Sequence, residues 1–276
     1  MPSVRLRRDL LLGALGKSYT TEELKKMEVN EKAQKEFEDL CFRFGIELDD
    51  VTTDQEIRRK ELHRNEEDDG NAQVIYKIDL PANRCDLLCL EGLSQALRIF
   101  ENKEELPKYK LADISNESMI KMHVKPETAS IRPHVVCAVL RGMTFSDDSF
   151  ESFLNLQDKV KQTICRKQTL VAIGLHDLDH IQAPFSYEVN DFKPEEALEI
   201  LNRSLSSMQK VDFALMTKFY PVIYDDNRTV LSMYPFMESE SSRITSSSKN
   251  VFIQCTATDL TRAKTVLNTT VTAFSL

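Results

Sequence analysis

Hydrophobic residues in the first fifty positions follow the spacings of strands and helices in turn. Val4–Leu6 predicts a short strand that leads into a helix around Asp9–Leu15. A second helix is indicated by four apolar residues at i, i+3, i+4 and i+7, namely Phe37, Leu40, Cys41 and Phe44. Gly45 follows at the place where a left-handed helix C-cap is common. This region therefore predicts a strand and two helices.

The next fifty residues predict two strands, a polar loop and a helix. Ile46–Val51 and Val74–Leu80 read as strands, and residues 54–73 between them are polar and nearly without apolar periodicity. We expect 54–73 to form a solvated loop. Asp86 is placed to N-cap a helix. The apolar stripe of that helix consists of Leu90, Leu93, Leu97 and Phe100.

The second half of the chain interleaves strands and helices irregularly after a polar stretch, 101–117, that predicts a domain boundary. A helix is predicted to start at Asp147 or Asp148, another at Pro194, and a last one over Leu260–Phe274. The predicted strands are Met119–Val124, Val135–Leu140, Leu170–Gly174, Phe185–Val189, Tyr220–Tyr224, Thr229–Met233 and Val251–Cys255. This order predicts a mixed α/β (α+β) fold with a partly antiparallel sheet.

Composition and motifs argue against general nucleic-acid binding, the standard nucleotide-binding loops and a membrane-spanning segment. The 44 acidic residues outnumber the 36 basic ones and give a net charge of −8, so no overall positive field gathers nucleic acid. Any RNA contact would need a local basic patch. The chain has seven glycines and neither GxxxxGK[ST] nor GxGxxG, so the two standard nucleotide-binding loops have no support. No apolar run approaches the roughly 20 residues that span a bilayer.

Cysteine usage indicates reduced thiols in a reducing compartment. The six cysteines lie in apolar stretches without the spacing of a disulfide framework. Cys85 and Cys89 could share one face of a helix, but no second pair exists, so packing is favoured over zinc binding. The apolar run Leu10–Gly16 follows three arginines as in a targeting peptide. Asp9 and the lack of a small-residue cleavage site argue against that reading.

One short motif, HDLDH at 176–180, contains side chains that could form a functional site. His176 and His180 at i, i+4 could bind a metal ion if the segment were helical. The motif follows an apolar run that ends at Gly174, so a surface loop at a strand end is the default expectation. Loops in that position often carry function, and a site therefore stays open.

Several strings along the chain resemble a known family. The first is PANRCDLLCLEGL, inside Tyr76–Phe100, which is specific to the beta subunit of phenylalanyl-tRNA synthetase of the archaeal and eukaryotic cytoplasmic type. Further similar segments follow in order: Ile131–Met143, Ile164–Asp179, Tyr220–Met233, Ser242–Thr245 and Val251–Asp259. The start, Met1–Gly16, also resembles the family. The chain is therefore identified as a member, similar to the N-terminal half of the beta subunit.

The resemblance implies an organisation and a set of partners. Residues 1–106 would form a small N-terminal α/β domain, and 117–276 a larger mixed-sheet tRNA-editing domain, truncated at its C-terminal end. The family's beta subunit works with a catalytic alpha subunit in a cytoplasmic α2β2 enzyme that binds tRNA(Phe), with no membrane. ATP and magnesium belong to the whole enzyme, and no cofactor is expected in this fragment. Alone, the chain would hydrolyse an ester at most and would not aminoacylate.

An editing site is required because tyrosine differs from phenylalanine by one hydroxyl. An apolar pocket rejects an added hydroxyl by only about 10²-fold, whereas protein synthesis needs roughly 10⁴–10⁵. By similarity, Gln254 and Thr256 are the candidate catalytic residues. The editing pocket would be lined by Ser232, Ile223, His176 and Asp177, with no metal.

Three departures from the family pattern bear on activity. Gln254 stands where a carboxylate is expected, Ala257 where glycine is usual, and Tyr234 where proline is usual. Gln254 keeps hydrogen-bonding capacity but loses charge and any role as a base, and Ala257 would be strained if its φ were positive. These changes give the hypothesis of weakened editing. The alternatives are a non-catalytic structural module with a degenerate pocket, and an unrelated metal hydrolase using His176 and His180.

Overall fold

The chain divides into two compact units, Met1–Lys108 and Tyr109–Leu276. The computed structural model describes residues 2–17, 19–24, 26–62, 72–114, 119–192, 196 and 219–275. The division falls inside the polar stretch 101–117. The assignment of 1–106 and 117–276 to particular domains stays a prediction.

The N-terminal unit is a three-stranded antiparallel sheet with helices. Its strands are β1 (Ser3–Arg7), β2 (Glu47–Thr53) and β3 (Val74–Asp79), in the order β1-β3-β2. Its helices are α1 (Arg8–Ala14), α2 (Thr21–Leu24), α3 (Met27–Phe44), α4 (Asp54–Leu62) and α5 (Leu90–Phe100). Phe37 of α3 stacks on Tyr76 of β3 at 5.3 Å, and both side chains are buried. The predicted helix around Phe37–Phe44 is confirmed, and Gly45 ends it with φ 88°.

Two expectations for this unit are wrong. Residues 54–62 form helix α4 and not a loop, because Thr53 Oγ1 accepts from the Glu56 amide at 3.2 Å and Asp54 pairs with Arg58 one turn on. A helix held by its cap and surface ion pairs needs no apolar stripe. The rest of the predicted loop, 63–71, lies outside the described residues, while 72–73 precede β3.

Helix α5 also begins differently from the prediction. Its N-cap is Cys89, whose sulfur accepts from the Gly92 amide at 3.4 Å. Asp86 is in a short 3₁₀ helix, Cys85–Leu87, and its carboxylate pairs with Arg84 at 2.7 Å. Because Cys85 precedes the helix and Cys89 caps it, the two thiols do not share a helical face.

The described part of the C-terminal unit contains two sheets and two long helices. The first sheet, in the order β5-β10-β6, is antiparallel and consists of β5 (His134–Leu140), β10 (Val251–Ala257) and β6 (Val171–Asp177). The second consists of β4 (Met122–Val124), β7 (Phe185–Asp191), β8 (Phe219–Tyr224) and β9 (Val230–Met233). In this sheet β4 is parallel to β7, and the other pairs are antiparallel. The mixed α+β prediction is confirmed.

Helices α6 (Asp147–Gln162) and α7 (Leu260–Ala273) lie against the first sheet. Phe153 of α6 contacts Phe274, directly after α7, edge to face at 4.7 Å. The N-cap of α6 is Ser146 and not Asp147 or Asp148. Ser146 and Ser149 exchange side chain to backbone hydrogen bonds in a capping box, and this satisfies two amides that a single carboxylate cap would not. Pro194 lies outside the described residues.

The two sheets of this unit pack through an apolar cluster. Its buried members are Phe185, Tyr187, Ile223, Leu231 and Phe252. Phe252 belongs to β10 and stacks on Phe185 of β7 at 4.5 Å. Since side chains alternate along a strand, Gln254 and Thr256 lie on the same face of β10 as Phe252. Helices α6 and α7 therefore cover the opposite face. None of the described helices has the length and apolar character needed to cross a membrane.

Candidate functional site

Gln254 lies at the centre of the first sheet. It pairs with Cys137 of β5 on one side and Gly174 of β6 on the other, and its side chain is fully buried. Its Nε2 donates to Ser232 Oγ at 3.2 Å, which links β10 to β9. Its Oε1 is buried and has no partner among the described residues. Gln254 therefore offers a free, desolvated hydrogen-bond acceptor.

Ser232 and Ile223 are brought together by the second sheet. They are cross-strand partners on β9 and β8, and their exposed fractions are 3% and 1%. Ile223 belongs to the apolar cluster between the sheets. The structure thus places the predicted polar and apolar pocket residues side by side, with Ser232 in contact with Gln254.

Thr256 lies two residues beyond Gln254 on the same face of β10. Its side chain is 2% exposed, and its Oγ1 has no hydrogen-bond partner among the described residues. Its backbone carbonyl accepts from a guanidinium nitrogen of Arg132 at 2.8 Å. The hydroxyl is therefore available, while the backbone behind it is fixed.

His176 and Asp177 are not on a surface turn, as the sequence predicted. Strand β6 continues through both residues because it pairs with β10 as far as Asp177 opposite Val251. His176 is fully buried, and its Nδ1 is 2.8 Å from Ser242 Oγ. Burial lowers the pKa of His176 to about 4, so the imidazole is neutral at pH 7. Its Nε2 is buried and has no partner in the part of the chain that the structure describes.

Asp177 is already engaged by its own neighbourhood. One oxygen accepts from the Asp179 amide at 3.0 Å, and the other accepts from Ser248 Oγ and lies 3.3 Å from His180 Nδ1. These bonds hold the segment that follows β6. The structure therefore gives Asp177 a local structural role beside the predicted pocket.

The alternative of a metal hydrolase has no support from this geometry. His176 is buried and bonded to Ser242, whereas the His180 side chain is 66% exposed in the 3₁₀ helix Leu178–His180. In the ranges that the structure describes, no group of three or more His, Cys, Asp or Glu side chains is arranged to hold a metal ion.

Gly174 is a site residue that sequence reasoning missed. A Cβ added to it would lie 2.3 Å from the Met237 carbonyl oxygen, 2.4 Å from Gln254 Nε2 and 3.0 Å from His176 Nε2. Three polar atoms therefore converge on the bare α-carbon. A glycine inside an apolar strand is the sequence signal for such a close approach. Arg132 was also missed, because nothing in the similar segment Ile131–Met143 distinguishes it from its neighbours.

Unpartnered buried polar atoms concentrate at this site. Of the eight such side-chain atoms in the described part of the chain, four belong to residues of this cluster: Arg132 Nε, His176 Nε2, Gln254 Oε1 and Thr256 Oγ1. Folded proteins rarely leave such groups unsatisfied, and each one requires an explanation. A bound polar ligand would supply the missing partners.

The other two departures from the family pattern cause no distortion here. Ala257 is the last residue of β10, paired with His134 and Val171, so its backbone is extended and carries no positive φ. The strain considered for it does not arise. Tyr234 follows β9, and its ring lies 4.2 Å from the guanidinium carbon of Arg132. Only the change at Gln254 alters the chemistry of the site.

A groove lies on the surface of the N-terminal unit. It has a volume of about 730 Å³ between the end of α3 and the start of β2, and four carboxylates line it: Glu38, Asp39, Glu47 and Asp79. None of the predicted site residues lies in it. The carboxylates repel the phosphates of RNA, so the groove offers no alternative tRNA site.

A change of Gly174→Ala should disturb Gln254 directly. Because the added methyl group would overlap the Met237 carbonyl and the Gln254 amide, we expect a loss of roughly 1–3 kcal/mol in unfolding free energy. Urea unfolding followed by circular dichroism measures it. Gly13→Ala is the matched control. A Cβ there has no neighbour within 4 Å, and in helix α1 it should stabilise by about 0.5–1 kcal/mol. Equal changes in unfolding free energy for Gly174→Ala and Gly13→Ala would contradict the crowding at Gly174.

The burial of His176 predicts a pH-dependent stability. Its pKa is about 4 in the folded chain against 6.5 ordinarily, so the unfolded state binds the proton more readily. The contribution is fully present above pH 6.5 and is lost as the pH falls towards 4, by up to about 3 kcal/mol. In His176→Gln this part of the decline should vanish from urea unfolding curves recorded at pH 7 to 4. His123→Asn, on an exposed residue of β4, is the baseline. An unchanged decline in His176→Gln would refute the assignment.

Comparison with known proteins supports the resemblance in both units. Residues 25–103 match the family model described as the Phe-tRNA synthetase beta subunit B1 domain, and residues 145–273 match the B3/4 domain. The whole chain is 50% identical to the cytoplasmic phenylalanine–tRNA ligase beta subunit of Arabidopsis thaliana, of which it covers 46%. It is 44% identical to the Homo sapiens beta subunit and covers 47% of it.

A solved structure shows the same fold. The match is to an N-terminal fragment of the phenylalanyl-tRNA synthetase beta subunit from Pyrococcus horikoshii, with a TM-score of 0.76 and 29% identity. It covers 99% of this chain and 73% of that one. The chain spans about half the length of the curated relatives it matches. From these matches, the chain belongs to the phenylalanine–tRNA ligase beta-subunit family.

Proposed function

We propose that the C-terminal unit hydrolyses tyrosyl-tRNA(Phe), as the editing part of a phenylalanine–tRNA ligase beta subunit. The observation that carries the proposal is the free Oε1 of Gln254, a buried acceptor without a partner among the described residues. A tyrosine hydroxyl is a donor that such an acceptor can bind, whereas phenylalanine has no group to offer. The apolar cluster between the two sheets contains Ile223 and Phe252, which suit the aromatic ring.

Selection against phenylalanine follows from the cost of an unpaired buried group. Phenylalanine would leave Gln254 Oε1 buried and without a hydrogen bond, and a buried polar group left unsatisfied costs about 1–3 kcal/mol. The tyrosine hydroxyl would donate a hydrogen bond to Gln254 Oε1. A site built around a hydrogen bond rejects the analogue that lacks the hydroxyl more strongly than an apolar pocket rejects the added hydroxyl. The editing site therefore complements an apolar synthetic pocket.

Hydrolysis at this site needs a held water and donors rather than a side-chain nucleophile. Water would attack the ester carbonyl, the ester C–O bond would break, and free tyrosine and tRNA with a 3′-terminal hydroxyl would result. Thr256 Oγ1 and the Nε2 of the neutral His176 imidazole have no hydrogen-bond partner among the described residues. Both can orient water, and the Thr256 hydroxyl can donate to the developing oxyanion. Gln254 is neutral and cannot act as a base, so we propose that editing is weaker than with a carboxylate.

In the whole enzyme we place the chain in the cytoplasm, with a catalytic alpha subunit in an α2β2 assembly and with tRNA(Phe). ATP and magnesium would serve the synthetic site elsewhere in that assembly, and the chain alone would not aminoacylate. The second candidate function is a non-catalytic module of the same assembly. Its support is the burial of the site, since Gln254, Ser232 and Thr256 are each at most 3% exposed.

Release of tyrosine from tyrosyl-tRNA(Phe) by the purified chain separates the two functions. We expect selective release over phenylalanyl-tRNA(Phe), and loss of roughly 10-fold or more of that selectivity in Gln254→Leu, which removes the acceptor but keeps the volume. Gln182→Leu, at an exposed position, is the control and should keep the selectivity. A folded parent chain that releases no tyrosine would favour the non-catalytic module.

Restoring the carboxylate tests the weakened-editing proposal separately. Gln254→Glu keeps the length of the side chain and adds a group that can take a proton from water, while the Ser232 hydroxyl would donate to the carboxylate where it now accepts from the amide. We expect faster tyrosine release than from the parent in single-turnover assays. A variant that folds and hydrolyses no faster would show that the glutamine does not limit editing.

A further inference from the structure

We infer that Arg132 is the positioning residue of the editing site, an inference that rests on the proposed function. Arg132 lies between the 3₁₀ helix Pro126–Ser130 and strand β5, and it is 3% exposed. Its guanidinium donates to the carbonyl of Thr256 at 2.8 Å and to the carbonyl of Thr169 at 3.1 Å. One side chain thus ties the end of β10 to the segment that enters β6.

Arg132 also contacts the second sheet. The Tyr234 ring, one residue after β9, covers its guanidinium at 4.2 Å. The Arg132 backbone carbonyl accepts from the Tyr187 hydroxyl of β7 at 3.0 Å, and Tyr187 is the cross-strand partner of Ile223. Arg132 therefore contacts the strand of Thr256 directly and the strand of Ser232 through Tyr234. It reaches the strand of Ile223 through Tyr187.

The buried charge of Arg132 indicates a role in addition to stabilising the fold. Among the described residues, no carboxylate forms an ion pair with it, and burial lowers the pKa of its guanidinium. A buried cation without a counter-ion is costly, and an apolar side chain of similar volume often packs as well or better. What the apolar side chain lacks is the planar fork that reaches two carbonyls and stacks on an aromatic ring at once.

The effect of Arg132 on the reaction follows from its contacts. By fixing the Thr256 carbonyl and the Tyr234 turn, it sets the separation between Thr256 and Ser232, on either side of Gln254. Hydrolysis requires the water and the ester carbonyl to be held to within fractions of an ångström, whereas substrate binding tolerates more movement. Loss of Arg132 should therefore lower kcat more than it changes KM.

The test compares Arg132→Met, Arg132→Lys and a matched control, Arg228→Met, in the 276-residue chain. Arg228 also stacks on a tyrosine, Tyr224 at 3.9 Å, but its side chain is 56% exposed. We expect Arg132→Met to lose roughly 10- to 100-fold in kcat for tyrosyl-tRNA(Phe) with KM within about twofold. Arg132→Lys should recover part of that loss, since it reaches one carbonyl. Arg228→Met should match the parent.

Amide hydrogen exchange gives a readout that needs no activity. Arg132→Met should speed exchange at residues 230–236 and 251–258 while exchange in α6 and the melting temperature stay close to those of the parent. Uniformly faster exchange with a lower melting temperature, or unchanged exchange and kcat, would overturn the inference. If the parent releases no tyrosine, the proposed function fails. The exchange pattern then decides alone whether Arg132 positions these strands.

Discussion

The site depends on the place of strand β10 between β5 and β6. Pairing on both sides buries Gln254 completely and aligns it with Cys137 and Gly174. The same register puts Phe252, Gln254 and Thr256 on the face that meets the second sheet, where Phe252 stacks on Phe185. The polar part of the site is thus built inside an apolar interface. Gln254 is not exposed to bulk solvent there, and each unsatisfied hydrogen bond becomes a strong constraint on what can bind.

Much of the fold could be predicted because strand and helix periodicities are local. Most strands predicted in the second half are found within a few residues of their observed bounds. The predicted strands Tyr220–Tyr224 and Thr229–Met233 correspond to the antiparallel pair β8 and β9. The failures have specific causes. Helix α4 has no apolar stripe, and its cap and ion pairs leave only a weak sequence pattern. The ends of β6 were misplaced because its last residues, His176 and Asp177, are polar but paired to β10.

The predicted site residues came from the resemblance to the family and not from sequence periodicity. Resemblance pointed to Gln254, Ser232 and Thr256, and the structure puts Gln254 in contact with Ser232 and on one face with Thr256. Gly174 and Arg132 also lie in similar segments, but the resemblance did not single them out, because their importance comes from partners far away in the chain. Such long-range contacts have no periodicity and become visible only when the strands are assembled.

We propose that a buried amide oxygen distinguishes tyrosine from phenylalanine. The most direct test is to measure, by calorimetry, the affinity of the chain for non-hydrolysable amide analogues of tyrosyl-adenosine and phenylalanyl-adenosine. We expect tighter binding of the tyrosyl analogue by roughly 5- to 150-fold, the equivalent of about 1–3 kcal/mol. Equal affinities, from a chain that binds both analogues, would contradict it.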